Sequence, residues 1–268
     1  MMDQRDKFNG LKTYLSGLGR VCAAFSGGVD SAFLLAAAAE ALPGGVIAVT
    51  ARSPAFPARE LACAERFCAE RGIPHIVFGS VEIELENFAQ NPPDRCYLCK
   101  RAMFSQIRRI ADGNGISHII EGSNADDEND YRPGMKAVAE AGALSPLRLA
   151  GLTKAEIRRL SREMGLDTWD KQAFSCLYTR IPFGDTLTAE KLSMIDRAEQ
   201  LLLDMGFNCV RVRLHGDTAR IEAGADELDR LFEPQTRDAV YNSLKSLGFK
   251  FVAADLQGYV MGSMNAGV

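Results

Sequence analysis

The chain has 268 residues, 47% of them hydrophobic and 25% charged, with a formal net charge of −4, enough for one large domain or two modest ones. The mild acidic balance gives no electrostatic case for nucleic acid, so any phosphate binding must be local, and Glu40 and prolines interrupt the richest apolar run before it could span a bilayer. The first residues lack the apolar core of a signal peptide, and the seven cysteines are an odd number; the expectation is a cytoplasmic protein whose thiols serve metal or catalysis, not disulfides.

In chain order, Asp6 to Leu18 reads as an amphipathic helix, Val21 to Phe25 as a buried strand and Ser31 to about Leu42 as an apolar helix. Val46–Thr50 is a second buried-type strand. Ala55 to Gly72 is helical, with Pro57 near its start and Gly72 at its end, and His75–Phe78 is a third strand. Periodicity fails from Glu82 to Arg95, where Asn91-Pro-Pro-Asp94 marks a loop. A helix from Cys99 to about Gly113 and a strand at Ser117–Ile120 follow. This alternation predicts an α/β domain, a doubly wound parallel sheet with both faces covered. Ligands of such sheets bind beyond the carboxyl ends of the strands, which places Ser26–Ser31, Thr50 and Gly122 at one crevice.

Thr153 to Gly165 is a helix with Thr153 and Glu156 as a capping box, followed by a loop from Thr168 to Asp185. The pattern then changes. Leu187–Met205 is a long helix, Cys209–Leu214 and Ala219–Ala223 alternate like a hairpin, Ala225–Phe232 and Arg237–Leu247 are helical, and Phe249–Asp255 closes as a strand. The expected division is a first domain at 1–185 and a smaller α+β domain at 186–268, with a tail that frays after Gly258.

The chain turns on Ser26-Gly27-Gly28-Val29-Asp30-Ser31. A strand feeding a helix through two glycines gathers free backbone N–H groups and the positive helix end at one point, which suits phosphate. No lysine follows the glycines, so this is not the nucleoside-triphosphate loop that ends in Gly-Lys-Ser/Thr. A bare Gly-Gly would be an ordinary turn, but all six residues stand behind a strand, and they resemble the pyrophosphate loop of the AMP-forming ATPases: the NAD and GMP synthetases, asparagine synthetase and tRNA thiolases. Those enzymes share an adenine-nucleotide α-hydrolase-like fold and cut ATP between its α and β phosphates.

Cys96 and Cys99 form a Cys-x-x-Cys pair, and Cys176 stands alone in a second loop. Two thiolates brought to one side of a tight turn can share a metal. With Cys176 they make three ligands, one short of a closed zinc site but enough for an iron–sulfur cluster with one open iron; equally, the pair is two unrelated thiols at a helix start. Cys22, Cys63, Cys68 and Cys209 read as small hydrophobes. Arg211 and Arg213 share a strand face near Glu222 and Glu199, and on the residues alone a solvated ion-pair face is the better reading. His118 and His215 read as structural. Asp126, Asp127 and Asp130 are either solvated turn residues or contacts to metal or nucleotide.

Several stretches together resemble the LarE family of ATP-dependent sulfur transferases: the Ser26–Ser31 loop, Asn91-Pro-Pro-Asp-Arg-Cys96-Tyr-Leu-Cys99, Glu121-Gly-Ser-Asn-Ala-Asp-Asp127, Asp130-Tyr-Arg-Pro-Gly134, Ser145-Pro-Leu147, Cys176-Leu-Tyr-Thr-Arg180-Ile-Pro182, and Arg211-Val-Arg213 with Ala219-Arg-Ile-Glu222. The resemblance spans about residues 10 to 255. It implies that ATP and Mg²⁺ adenylylate a carboxylate of a pyridinium dicarboxylate mononucleotide, which then becomes a thiocarboxylate for the nickel-pincer nucleotide of lactate racemase. It further implies roles: Ser26, Gly27, Gly28, Asp30, Ser31, Thr50 and Gly122 at the nucleotide, Asp30 and Cys176 in catalysis, and Arg180, Arg211 and Arg213 on the substrate's phosphate and carboxylate. Arg180 is expected beside Cys176, lowering its pKa. Glu199 and Glu222 are expected near Cys176 as metal ligands. The resemblance leaves two routes for the sulfur: the cysteine at the Cys176 position gives up its own and becomes dehydroalanine, or Cys96, Cys99 and Cys176 hold a [4Fe-4S] cluster that spares the protein's own sulfur. A homo-oligomer, assembled through the C-terminal domain, is also implied. An ammonia-using amide synthetase, which leaves Cys96, Cys99 and Cys176 idle, and a nucleotide-binding protein with a structural metal and no turnover are the rival readings.

Overall fold

Alternate residues of the first strand feed two different cores. In the computed structural model, which describes residues 3–80, 82, 85, 87–129, 133–172, 174–260 and 262–265, β1 (Val21–Ala24) turns Val21 and Ala23 to one side and Cys22 to the other. It lies between β2 (Val46–Arg52) and β4 (His118–Ile120), and β3 (His75–Gly79) flanks β2, so the all-parallel order is β3-β2-β1-β4. Val46 and Ala48 join the first core, Ile47 and Val49 the second, and Ile120 and Ile119 divide in the same way. Such continuous apolar strands are what a parallel sheet buried on both faces requires. The expected doubly wound α/β architecture is therefore present.

Helices α1 (Gln4–Ser16), α2 (Val29–Ala41) and α3 (Ala58–Glu70) contribute to the first core, and α4 (Arg95–Gly113) with α5 (Pro133–Glu140) to the second. The short α6 (Pro146–Leu149) and α7 (Lys154–Glu163) complete the first. α2 is apolar and buried along nearly its whole length, as a central helix must be. Thr153 and Glu156 form the expected capping box on α7. α4 starts at Arg95, four residues before the expected Cys99, because the Asp94 carbonyl accepts the N–H groups of Tyr97 and Leu98. α5 and α6 were not anticipated: eight and four residues are too short to carry a periodic signal. Among the described residues no helix is long and apolar enough to cross a membrane.

The chain divides into two units, residues 1–82 with 94–174 and residues 83–93 with 175–268. The division differs from the expected boundary after residue 185, for a local reason. Asn91, fully buried with φ +54°, donates its amide to the carbonyls of Ile181 (3.0 Å) and Pro182 (2.7 Å), and Leu187 N–H donates to Ala89 (2.7 Å). Phe88 meets Tyr178 edge-on, ring centroids 5.2 Å apart. These contacts join 87–93 to the Cys176 loop.

The second unit holds β5 (Val210–His215) antiparallel to β6 (Thr218–Ala223), with β7 (Phe251–Ala254) parallel to β6. α8 (Ala189–Asp204), α9 (Leu228–Phe232) and α10 (Pro234–Ser246) complete this α+β unit. The tail does not fray as expected within the described residues: Ser263 Oγ donates to Glu222 (3.0 Å), and a 3₁₀ turn covers Ser263–Asn265.

Candidate active site

In the first unit, β1 has β2 on one side and β4 on the other, so its carboxyl end is where the strand order reverses. Residues 26–31 leave the sheet there. Gly27 has φ +71°, a conformation that a side chain would strain, and Gly28 is the extended N-cap of α2. The Ser26 and Ser31 hydroxyls lie 3.0 Å apart, and Ser31 Oγ donates to Gly28 O at 3.1 Å. The two serines thus hold the loop closed around the helix start, whose first N–H groups have no intrahelical partner. Gly122, at the end of β4, backs against this turn: a Cβ there would stand 3.0 Å from Ser31 N. Thr50 is placed nearby but its hydroxyl is committed, donating to Phe25 O (2.7 Å) and meeting His75 Nε2 (2.8 Å). It braces the strand ends. Burial holds the His75 pKa below its ordinary value, with Glu65 pulling the other way.

Two lysines reach this loop, and nothing in the sequence pattern singled them out. Lys154 Nζ lies 2.5 Å from Asp30 Oδ2, and its backbone N–H donates to Asp126 (2.8 Å). Lys171 Nζ bonds Gly27 O at 3.0 Å and Glu60 at 2.7 Å. Arg158 on α7 clamps the Lys171 segment, donating to Trp169 O (2.7 Å) and Lys171 O (2.8 Å). The other oxygen of Asp30, Oδ1, is buried without a hydrogen-bond partner among the described residues. A buried carboxylate oxygen left so is costly unless a ligand completes it.

The acidic loop after β4 is structural in part. Asp127 accepts from Asn124 N–H, and Asp126 N–H donates to Asn124 Oδ1. Glu121, buried, accepts from Ser123 and Ser145 hydroxyls. Asp130 lies outside the described residues. Glu82, also unforeseen, accepts from Ser53 and Ser80 hydroxyls.

In the second unit Cys176 caps a 3₁₀ turn, Leu177–Arg180, and is half-buried. Arg180 holds this turn from within. Its guanidinium is 0% exposed, bonds Glu199 through Nε (2.7 Å) and Nη2 (3.2 Å), and sends Nη1 to Ser175 O, Ser175 Oγ and Thr179 Oγ1 at 2.7–3.0 Å. A longer contact, 3.4 Å, reaches the Cys176 carbonyl. Arg180, expected on the substrate's anion, has its guanidinium placed against Glu199 and the Cys176 loop. The solvated face expected for Arg211 and Arg213 is corrected, since both are buried. Arg213 donates to Thr179 O (3.0 Å) and Glu222 (2.7 Å), and Arg211 lies over the Tyr259 ring at 4.8 Å. Burial, aided by the Arg180 charge, lowers the pKa of Arg211.

Glu199 also accepts the N–H of Val212 (3.0 Å), and Glu222 is held by Arg213, Arg220 (2.8 Å) and Ser263. Arginines therefore take the carboxylates that were expected as metal ligands beside Cys176. Cys96 and Cys99 lie in the first turns of α4, one exposed and one half-buried, not in the tight turn expected of a metal pair. Among the described residues no three His, Cys, Asp or Glu side chains gather as a metal site. The remaining cysteines read as expected. Burial pushes the Cys22 and Cys68 thiols up to about 12 and raises that of Cys209, while Cys63 accepts from Arg66 (3.5 Å).

The asparagine synthase family model matches residues 11–108, the stretch that holds the phosphate loop. Over 254 residues, 94% of this chain and 91% of the relative, the sequence is 39% identical to the pyridinium-3,5-bisthiocarboxylic acid mononucleotide synthase of Lactiplantibacillus plantarum. It is 36% identical over 259 residues, 97% of each chain, to an uncharacterized protein of Synechocystis sp.. A further match, 28% identical over 177 residues, covers 66% of this chain and 68% of an uncharacterized protein of Methanocaldococcus jannaschii. With the loop, the Cys176 turn and near end-to-end similarity in agreement, the chain belongs to the LarE family.

Proposed function

We propose that this protein is an ATP-dependent, AMP-forming sulfur transferase that adenylylates a carboxylate of pyridinium-3,5-dicarboxylate mononucleotide and converts it to a thiocarboxylate. The observation that carries this reading is the Ser26–Ser31 loop, closed by its serines and holding a buried Asp30 oxygen without a partner. A carboxylate is a poor electrophile. Its oxygen attacks the α-phosphorus of ATP, pyrophosphate leaves, and the mixed anhydride with AMP becomes open to a thiolate. The loop N–H groups at Gly27 and Gly28 and the start of α2 suit the departing pyrophosphate. The unpartnered carboxylate oxygen Asp30 Oδ1 fits a hard cation, so Asp30 would hold Mg²⁺. When bound, that ion supplies positive charge against the leaving pyrophosphate.

Cys176 is the assigned thiolate. Its sulfur adds to the activated acyl carbon, AMP leaves, and breaking the Cβ–Sγ bond with loss of the Cα proton releases the thiocarboxylate and leaves dehydroalanine. The Arg180–Glu199 pair keeps the Cys176 turn in one shape for this step. Arg211 and Arg213 are the proposed contacts to the substrate's anionic groups, once Tyr259 and Ser263 of the tail yield to it.

Cys96 and Cys99 stand three positions apart on one helix, and among the described residues no group of three His, Cys, Asp or Glu side chains supports a cluster, so the reading offered does not depend on one. The test is pyrophosphate release from ATP and Mg²⁺ as a function of added pyridinium substrate. Substrate-dependent release with thiolated product supports the reading; release that requires ammonia and yields an amide overturns it.

A further inference from the structure

We propose that the end of the chain is a placeholder on the anion site of the second unit. Tyr259, Ser263 and Met264 meet Arg211, Arg213 and Arg220 with neutral groups, the phosphate of an entering mononucleotide displaces them, and Arg220 is a third arm of the site. The identity of that ligand rests on the sulfur-transfer reading above. Strand register makes the case for an anion. Arg213 and Arg220 stand directly opposite each other on β5 and β6, as Arg211 and Glu222 do. Like charges placed so destabilise a sheet. Glu222, fully buried, serves Arg213 at 2.7 Å and Arg220 at 2.8 Å, and Asp255 reaches Arg220 at 3.3 Å. Even so, Nε of Arg213 and Nε of Arg220 are buried with no hydrogen-bond partner among the described residues. Two guanidinium donors still lack an acceptor.

The tail covers these arginines without filling that need. Arg213 Nη2 reaches Ser263 Oγ at 3.4 Å, Arg220 Nη2 reaches Met264 Sδ at 3.6 Å, and Arg211 lies over the Tyr259 ring at 4.8 Å. A hydroxyl, a thioether and a ring carry no charge. Phosphate oxygens would form charge-assisted hydrogen bonds instead, roughly twice as strong. The tail also has a fixed point from which to lift. Gly258 has φ +70°, and a Cβ on it would stand 2.5 Å from Ala223 O, the oxygen that accepts the Tyr259 N–H at 2.7 Å. Beyond this anchor Val260 is 48% exposed, and Ser263 Oγ ties the strap to the sheet by donating to Glu222 at 3.0 Å. A segment held by so few contacts opens at low cost while the sheet stays folded.

The test uses the full-length protein with inorganic phosphate as the probe and no ATP. Ser263→Ala, which cuts the tie to Glu222, is expected to tighten phosphate binding about fivefold over wild type. Arg220→Gln is expected to weaken it about tenfold. In wild type, saturating phosphate is expected to speed hydrogen exchange at the Ser263 amide about tenfold, while the Tyr259 amide stays protected. Phosphate that binds and leaves the Ser263 amide equally or better protected overturns the proposal. So does a phosphate affinity unchanged or weakened in folded Ser263→Ala, or no phosphate binding in either protein. None of these readings needs turnover. If phosphate lifts the tail but pyrophosphate release never depends on the pyridinium substrate, the placeholder stands and the sulfur-transfer reading falls; the converse removes the placeholder alone.

Discussion

The two units treat buried charge in opposite ways. Around Asp30 the first unit leaves an acidic oxygen without a hydrogen-bond partner among the described residues, with the ammonium groups of Lys154 and Lys171 close by. In the second unit Arg180, Glu199, Arg213 and Glu222 are joined to one another, to backbone groups and to hydroxyls. Breaking such a buried pair leaves a charge in low dielectric, so the network resists change. The difference teaches where each unit meets its ligand. In the reading proposed here an entering ligand completes the first, while in the second the Arg180–Glu199 pair holds the cysteine-bearing turn in place.

The substitutions that break this comparison most sharply are at its two reacting centres. Cys176→Ala is expected to abolish thiolated product while substrate-dependent pyrophosphate release, the product of adenylylation, persists. Asp30→Ala is expected to act upstream, cutting pyrophosphate release, and the thiolated product with it, by about a thousandfold. Equal loss of both activities in Cys176→Ala would remove the division of labour.

A stability measurement probes the second unit. Glu199→Ala strands the Arg180 guanidinium, fully buried, and is expected to cost about 3–5 kcal/mol in denaturant unfolding. Pairing it with Arg180→Met should recover much of the loss, because both charges are then gone. Thr153→Ala, which removes one side of the α7 capping box, is expected to cost about 1 kcal/mol and so to loosen the base of Lys154.

The smallest effect concerns pH. His75 has a folded pKa below its ordinary 6.5, chiefly through burial, so the folded state prefers the neutral ring. Its contribution is full above about 6.5 and is lost as pH falls from there through the folded pKa. His75→Gln should flatten the dependence of unfolding midpoint on pH below neutrality. An unchanged slope would show that the ring does not titrate with folding.

Much of the first unit was legible because its signals are local. Buried strands read as unbroken apolar runs, and Thr153 and Glu156 announced their helix start. The glycine loop read correctly as a strand-to-helix turn for the same reason. Lys154 and Lys171 were not legible, since their partners lie 124 and 144 residues away in sequence. The same distance effect hid the burial of Arg211 and Arg213: alternation shows that two side chains share a face, not what covers it. The joining of 87–93 to the second unit depends on an Asn91 amide that bonds carbonyls about ninety positions on, and composition alone marks that stretch only as a loop. Cys96 and Cys99 show the opposite failure. A motif suggested a turn, and an early helix start placed both on a helix.

The central claim is that this chain couples ATP cleavage in the first unit to sulfur delivery from Cys176 in the second. The most direct measurement is one anaerobic turnover with ATP, Mg²⁺ and pyridinium-3,5-dicarboxylate mononucleotide, scored for AMP, for thiocarboxylate and for the intact mass of the protein. The account expects AMP and thiocarboxylate in equal amounts, and a protein lighter by one H₂S at Cys176. AMP without thiocarboxylate, or thiocarboxylate from a protein of unchanged mass, would contradict it.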